Sequence, residues 1–485
     1  MKQLNPLDAQ FVDAEDQDGH ASFAIASIAV FEGPAPTYGE FLSAIAARLP
    51  LVPIYQRKLR TVPFRLGPPV WVDDPNFDLR YHVRHTAIPA PGSTDQLNKL
   101  MARVMSQRLD RNYPLWEYWL VEGLSEGRWA LISKVHHAMV DGVSGTDLYR
   151  VIFDLSPEPL SLMPADDRPV PAEPTGLLLL TGAAADLASR PVRGTLALTN
   201  TLIHPGGAAR QAADVGRAVA KLATSARPAA QSSLSGPIGR QRRYTRARAS
   251  LKDVQKIKRK LGGTVNDVVL AAISSGFREL LLARGEQPGP HTVPSLVPVS
   301  LRAVGEEGIY ENRVSVLVAN LPVHLADPRQ RFEAVRAELS GLKASKEAAA
   351  GAALVALGHV APYSLASLTV RLAYAVPQRE IVTVTTNVPG PRQPLYAMGR
   401  KLVEIIPYVP IATTLRTGIS IFSYCDTLTF GITGDYDSTP DLEVLAHGIE
   451  AGVAELLKVT EHRRASHRAR RRGNDDELQP RGHSA

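Results

Sequence analysis

The stretch KVHHAMVDGVSG, Lys134 to Gly145, ends an apolar strand with two adjacent histidines and turns at Asp141-Gly142 toward a helix. Ser144 and Asp147 have the spacing of that helix's own capping box. Successive strand residues point to opposite faces, so His136 and His137 do not easily chelate one ion, and no metal is expected. Counting back along the strand, His137 shares a face with Trp129, Leu131 and Val135, while His136 falls in with Lys134. His137 is therefore expected to face an apolar space. A lone inward histidine is more often a packed core residue than a catalyst. A strand end beside a glycine turn, where a substrate can approach the backbone closely, favours chemistry. Neutral imidazole, with an ordinary pKa of about 6.5, suits the removal of a proton from a hydroxyl.

Working outward, Leu120 to Gly123 and Arg128 to Val135 read as strands joined by a turn. ASFAIASIAVFEG (Ala21–Gly33) reads as a strand and TYGEFLSAIAARL (Thr37–Leu49) as a helix. Six prolines between Ser156 and Pro174 exclude a continuous helix or central strand there. Residues 156–240 thus form a Pro-rich and helical connector between an N-terminal subdomain, 1–155, and a C-terminal one, 241–461. In the latter, Thr264 and Asp267 fit a capping box opening the helix VVLAAISSGFRELLLAR. Strands are expected at SLVPVSLR, RVSVLVANLPV, EIVTVTTNV and TGISIFSYCDTLTFGITGD, and a last helix from about Asp441 to Lys458. Residues 462–485 are too polar to pack and read as a basic, disordered tail.

The chain has 485 residues, 44% apolar and 21% charged, ordinary globular values sufficient for roughly two or three domains. One cysteine, Cys425, excludes an internal disulfide framework and fits a reducing compartment; it is expected as a buried strand thiol. The acidic N-terminus lacks a signal-peptide core, and no run of about 18 apolar residues offers a membrane span. A soluble or peripheral, cytoplasmic protein is expected. The net charge of +7 is uneven. Ten Lys/Arg face one Asp between Arg240 and Lys260, and seven Arg face four acids from Glu461 onward, leaving a mildly acidic body. That pattern, without a zinc-finger or RNA-binding motif, argues against nucleic acid. It leaves a phosphate-bearing small molecule or an acidic membrane surface as partners, with plain solvated charge the alternative. A Walker A loop is excluded because no Gly-Lys dipeptide occurs. GLSEG (Gly123–Gly127) matches a serine-hydrolase elbow in letters but joins two strands instead of a strand and a helix.

The segment HHAMVDG matches the HHxxxDG motif of the acyl-CoA-dependent acyltransferase superfamily, which includes condensation domains and chloramphenicol acetyltransferase. LNPLDAQF near the start, PLWEYWLVEGL (Pro114–Leu124), NDVVLAA (Asn266–Ala272), VPVSLR (Val297–Arg302) and NVPGP (Asn387–Pro391) narrow the choice. In this order the chain resembles the bacterial wax ester synthase/diacylglycerol acyltransferase family from about residue 4 to residue 460. The resemblance implies an α/β fold of two chloramphenicol-acetyltransferase-like (condensation-domain-like) subdomains forming a central channel. It also implies transfer of a fatty acyl group from acyl-CoA to diacylglycerol, giving triacylglycerol, or to a long-chain alcohol, giving a wax ester. Alternatives are the same fold with another alcohol or amine acceptor, or a non-catalytic lipid-binding protein.

Carried over residue by residue, His137 is the general base, His136 shapes the site, and Gly142 leaves room for substrate. Asp141 orients the motif through a salt bridge, for which Arg302 is the chosen partner. Asn266 and Asp267 match the family's Asn-Asp pair, although Asp267 is equally a helix cap. Pro114 and Trp116 are expected on the acceptor side, although a buried Trp packs as well. Arg242, Arg243 and Arg246 are candidates for steering coenzyme A, whose phosphates suit Arg and Lys. No permanently bound cofactor is expected, and the insoluble acceptors point to a peripheral membrane or lipid-droplet surface. Two departures stand out. EDQDGHAS (Glu15–Ser22) replaces a more apolar early segment, and Thr386 precedes NVPGP where serine is commoner.

Overall fold

The computed structural model describes residues 2–139, 152–158, 173–182, 184–185, 232–300, 314–344 and 381–477. Asp141, Gly142, Arg302, most of the 156–240 connector and residues 478–485 lie outside the described residues. A first six-stranded sheet has the order β12 (Tyr396–Ala397), β13 (Arg400–Tyr408), β2 (Ala24–Phe31), β7 (Trp129–His136), β6 (Trp116–Glu122), β5 (Val83–Ala87). A second runs β10 (Val314–Asn320), β9 (Pro294–Ser300), β11 (Thr383–Val388), β14 (Thr417–Tyr424), β15 (Thr427–Asp435), β8 (Arg242–Ser250). A small sheet, β1 (Lys2–Gln3), β4 (Val70–Asp73), β3 (Arg57–Arg60), flanks the first. Both large sheets mix antiparallel pairs with parallel ones, β5 with β6 and β11 with β9 and β14.

The helices are α1 (Pro6–Gln17), α2 (Tyr38–Arg48), α3 (Leu79–His82), α4 (Thr94–Met105), α5 (Leu251–Leu261), α6 (Val265–Ala283), α7 (Pro328–Ala344) and α8 (Leu442–Glu477). Their starts are written locally. Thr37 with Glu40, Ser93 with Gln96, and Thr264 with Asp267 each form the reciprocal capping box. Helix α6 is buried along most of its length, from Asp267 to Phe277, as its nearly continuous apolar sequence requires. Small residues let α8 cross it closely: a Cβ at Gly448 would meet the Gly276 backbone at 2.7 Å.

Four features differ from the sequence expectation. The basic segment is a charged edge strand, β8, followed by α5, and β8 pairs with β15 from Arg242↔Asp435 to Ser250↔Thr427. The C-terminal subdomain is not continuous in sequence, because β12 and β13 join the first sheet, where β13 pairs with β2. Cys425 lies in the turn between β14 and β15 at φ 49°, half-buried, instead of inside a strand. The final helix also continues to Glu477, beyond the expected end near Lys458. Arg and Ala favour helix, and no proline intervenes before Pro480.

The large sheets meet where β13 passes over β15. A Cβ at Gly431 would lie 1.6 Å from the Pro407 carbonyl oxygen, so only glycine permits this approach. The Tyr244 hydroxyl donates to the same carbonyl at 2.7 Å. Gly431→Ala is expected to lower unfolding free energy by at least about 1–3 kcal/mol through overpacking. Gly39→Ala, exposed on α2 with open space at its Cβ, is the control and should be neutral or slightly stabilising in the same urea titration.

Candidate active site

Strand β7 ends at His136, and His137 opens a single 3₁₀ turn, His137–Met139. The alternation counted along the strand therefore stops one residue before the second histidine. Neighbouring segments on both sides fix the two peptide groups. The His136 N–H donates to the Leu115 carbonyl, and the His137 N–H to the Phe23 carbonyl, each at 2.9 Å. The two side chains then have different fates. His136 is buried at 2% exposure, whereas His137 is only partly buried. Lys134, on the same strand face as His136, is buried too, and its ammonium donates to the Val104 and Gln107 carbonyls at the end of α4. Desolvation brings that ammonium down to about 8. Both faces of β7 are thus covered, and His137 is set apart by the end of the strand.

Helix α1 crosses this strand end. Asn5 caps it, accepting the Asp8 N–H at 2.8 Å, and Pro6 occupies its first turn. Phe11 lays its ring against His137 with centroids 4.1 Å apart. One turn later, buried Glu15 accepts the Phe23 N–H at 2.7 Å and the Arg111 guanidinium at 3.0 Å. Its Oε1 also lies 3.4 Å from His136 Nε2, an electrostatic contact and not an aligned hydrogen bond. Burial raises the Glu15 pKa, but the His136 ring, the Phe23 amide and Arg111 outweigh it and lower the carboxyl from 4.5 to about 2. In the sequence Glu15 stands out only as part of the acidic stretch Glu15–Ser22. The available signal was its i+4 spacing from Phe11, which puts both on one helix face.

Trp116 is fully enclosed. Its ring stacks between Tyr55 and His82, at 4.6 and 4.5 Å, and its indole N–H donates to the Tyr55 carbonyl at 2.8 Å. It packs the interior with its polar atom satisfied within the protein. Pro114 is also buried, and the PLW segment acts at the site through Leu115, the backbone partner of His136.

On the other subdomain, Asn266 and Asn387 meet, with Nδ2 of Asn387 donating to Oδ1 of Asn266 at 2.6 Å. Two sequence motifs far apart in the chain are joined there. Gly390 of NVPGP packs so tightly that a Cβ would lie 2.0 Å from the Ser423 carbonyl oxygen. Asp267 caps its own helix, accepting the Thr264 N–H at 2.6 Å, which accounts for it without a catalytic role.

The basic strand is committed internally. The Arg242 guanidinium is buried and donates to the Gly239, Gln241 and His20 carbonyls. Arg246 pairs with Glu404 at 2.6 Å, and Arg243 lies over the Tyr436 ring at 4.1 Å while donating to its carbonyl. The donors of Arg242 and Arg246 are thus engaged within the protein.

Two mixed six-stranded sheets, with a histidine pair at the end of a strand of the first, make up the α/β fold. In comparison with solved structures, a wax ester synthase/diacylglycerol acyltransferase from Marinobacter aquaeolei VT8 superposes with TM-score 0.65 at 24% identity, over 95% of this chain and 100% of that one. A starter condensation domain of rhizomide synthetase RzmA, crystallised with C8-CoA and Leu-SNAC, shares the fold at TM-score 0.55 and 14% identity, over 95% and 94%. The wax ester synthase/diacylglycerol acyltransferase catalytic domain matches residues 4–269, and the WS/DGAT C-terminal domain matches residues 310–457. The chain belongs to the wax ester synthase/diacylglycerol acyltransferase family and is an acyltransferase. A relative from Mycobacterium tuberculosis H37Rv, named probable diacylglycerol O-acyltransferase tgs1, is 41% identical over 473 residues, covering 98% of this chain and 99% of that protein.

The Glu15 carboxyl carries a pH signature. Its folded pKa is depressed, so its stabilisation is complete above about 4.5 and is lost as pH falls toward about 2. The 4.5-to-2 shift corresponds to about 3 kcal/mol. The stability advantage of wild type over Glu15→Gln should therefore shrink steadily from pH 5 to pH 3 in chemical denaturation.

Proposed function

We propose that this enzyme transfers a fatty acyl group from acyl-CoA to the hydroxyl of diacylglycerol, and also to long-chain alcohols, with His137 as general base. The observation that carries the reading is the division of labour in the histidine pair: His136 is buried and engaged, while His137 stands partly exposed at the strand end. The imidazole takes the acceptor's proton as its oxygen attacks the thioester carbonyl. Collapse of the tetrahedral intermediate breaks the carbon–sulfur bond, and the departing thiolate recovers the proton from the imidazolium. An ester and free coenzyme A result, and no covalent acyl-enzyme is required. The names of the relatives support diacylglycerol as acceptor and wax esters as a second product. Asn266 is proposed to support the site from the second subdomain through Asn387, while Asp141, Gly142 and Arg302 keep the roles implied by the family motif.

His137→Gln keeps a polar side chain but removes the base. Product formation from palmitoyl-CoA with dioleoylglycerol or hexadecanol should fall by about 10²–10⁴-fold, with palmitoyl-CoA binding retained. Near-normal turnover in the folded variant refutes the mechanism.

Such acceptors and products do not dissolve in water, so we infer that the enzyme works in the cytoplasm at a membrane or lipid-droplet surface. Among the described residues no helix is long and apolar enough to cross a membrane. Support for a surface contact comes from Phe64, 86% exposed, and from Leu66, Leu177 and Leu178, each more than half exposed. A Cβ on Gly176 would touch Pro63 at 3.6 Å, bringing these two segments together. Phe64→Ser combined with Leu177→Ser should weaken co-sedimentation with phosphatidylglycerol-containing liposomes. Deleting residues 462–485 should add a salt-dependent loss, at about 1 kcal/mol per basic residue near the anionic surface.

A further inference from the structure

Glu15 belongs to none of the sequence motifs, yet it touches the Phe23 segment that fixes His137 and the ring of His136. Its Oε1 accepts the Phe23 N–H at 2.7 Å, and the Phe23 carbonyl accepts the His137 N–H at 2.9 Å. One peptide segment thus runs from the carboxylate to the backbone of His137. The same oxygen lies 3.4 Å from His136 Nε2. On the far side of that ring, Nδ1 accepts the Ala138 N–H at 3.1 Å, from within the turn that His137 opens. An accepting Nδ1 leaves the proton on Nε2, facing the carboxylate. Arg111 closes the arrangement, donating to Glu15 Oε2 at 3.0 Å, to Asp16 at 2.5 Å and to the Val12 carbonyl at 3.0 Å.

We propose that Glu15 is a positioning residue for the acyl transfer: its buried carboxylate holds the His136 ring in one orientation and tautomer and, through Phe23 and Ala138, fixes the turn that aims His137. The proposal rests on the reading of His137 as base. The choice of residue type follows from the surroundings. Phe23 N–H and Arg111 donate to opposite oxygens of Glu15, and the His136 Nε2–H lies 3.4 Å from one of them, so only a group with acceptors on both oxygens faces all three favourably. A glutamine has to turn its amide N–H₂ toward one of them. Phe11, one turn earlier on the same helix, packs the His137 ring at 4.1 Å, so α1 grips both histidines of the pair from one face.

The test compares Glu15→Gln, Glu15→Asp and His137→Gln in the full-length protein. It uses palmitoyl-CoA and dioleoylglycerol kinetics together with ¹⁵N NMR of the histidine rings in the absence of substrate, with His136 assigned by His136→Gln. Glu15→Gln is expected to lower kcat by about 10- to 100-fold, the scale on which small misplacements act, with KM for palmitoyl-CoA within about threefold. The His136 nitrogens should leave the Nε2–H pattern for a tautomer mixture. Glu15→Asp, still acceptor-only, should retain more activity than Glu15→Gln. A folded Glu15→Gln with kcat within about twofold of wild type, or with unchanged His136 nitrogens, overturns the proposal. Near-normal turnover in His137→Gln as well assigns the failure to the base reading, because the nitrogen shifts report the clamp without any chemistry.

Discussion

One buried carboxylate, Glu404 on β13, holds the two halves of the protein in register. It accepts Arg246 at 2.6 Å and Arg248 through Nε at 2.6 Å, both from the edge strand of the second sheet, and Thr429 at 3.3 Å from β15. The strand that carries it is hydrogen-bonded into the first sheet. Desolvation penalties make the net worth of such a pair modest, whereas removing one partner strands the others at a cost of about 3–5 kcal/mol. The interaction therefore acts as a register device. β13 must cross to the first sheet, and β8 must lie along the seam with Arg246 and Arg248 turned toward Glu404.

The site inherits its geometry from this seam. The Arg242 N–H donates to the Ser106 hydroxyl after α4, and its guanidinium reaches the His20 carbonyl, just before the Phe23 segment that fixes His137. The same peptide neighbourhood is held on its other side by Arg108, whose Nε donates to the Ala21 carbonyl at 2.8 Å. A charged strand in the second subdomain thus braces the segment that fixes His137 in the first. Positive charge that looks free in the sequence is mostly structural at β8, while Lys258, Arg259 and Lys260 in the last turn of α5 suit that helix's C-terminal end.

What the sequence disclosed was short-range. The capping box at Thr264, the strand ending at the histidines and the turn that rules out an elbow at Ser125 all depend on neighbours a few residues apart. The identity of the fold was legible through motif letters, and residue matches to the family reach both subdomains. What stayed hidden depends on partners hundreds of positions away. RRYTRARAS does not announce a strand, because the carboxylate that accepts its arginines is Glu404, about 156–158 residues downstream. For Trp116 the sequence leaves open an acceptor-side or a buried packing position, and its burial depends on stacking partners, Tyr55 and His82, that sit on other elements. Glu15 stays hidden in the sequence because one acid among the four of an acidic helix reads as exposed until His136 and Arg111 are seen beside it.

The central claim is that a single partly buried imidazole at the end of β7 accepts the proton of the acyl acceptor. The most direct measurement is the pH dependence of kcat/KM for dioleoylglycerol, between pH 5 and 9, in wild type and in the residual activity of His137→Gln. The account predicts that wild-type activity rises with pH through one ionisation in the imidazole range, about 6–7, to a plateau, and that this ionisation vanishes in the variant. An identical rise in both proteins, or a flat profile in wild type, would contradict it.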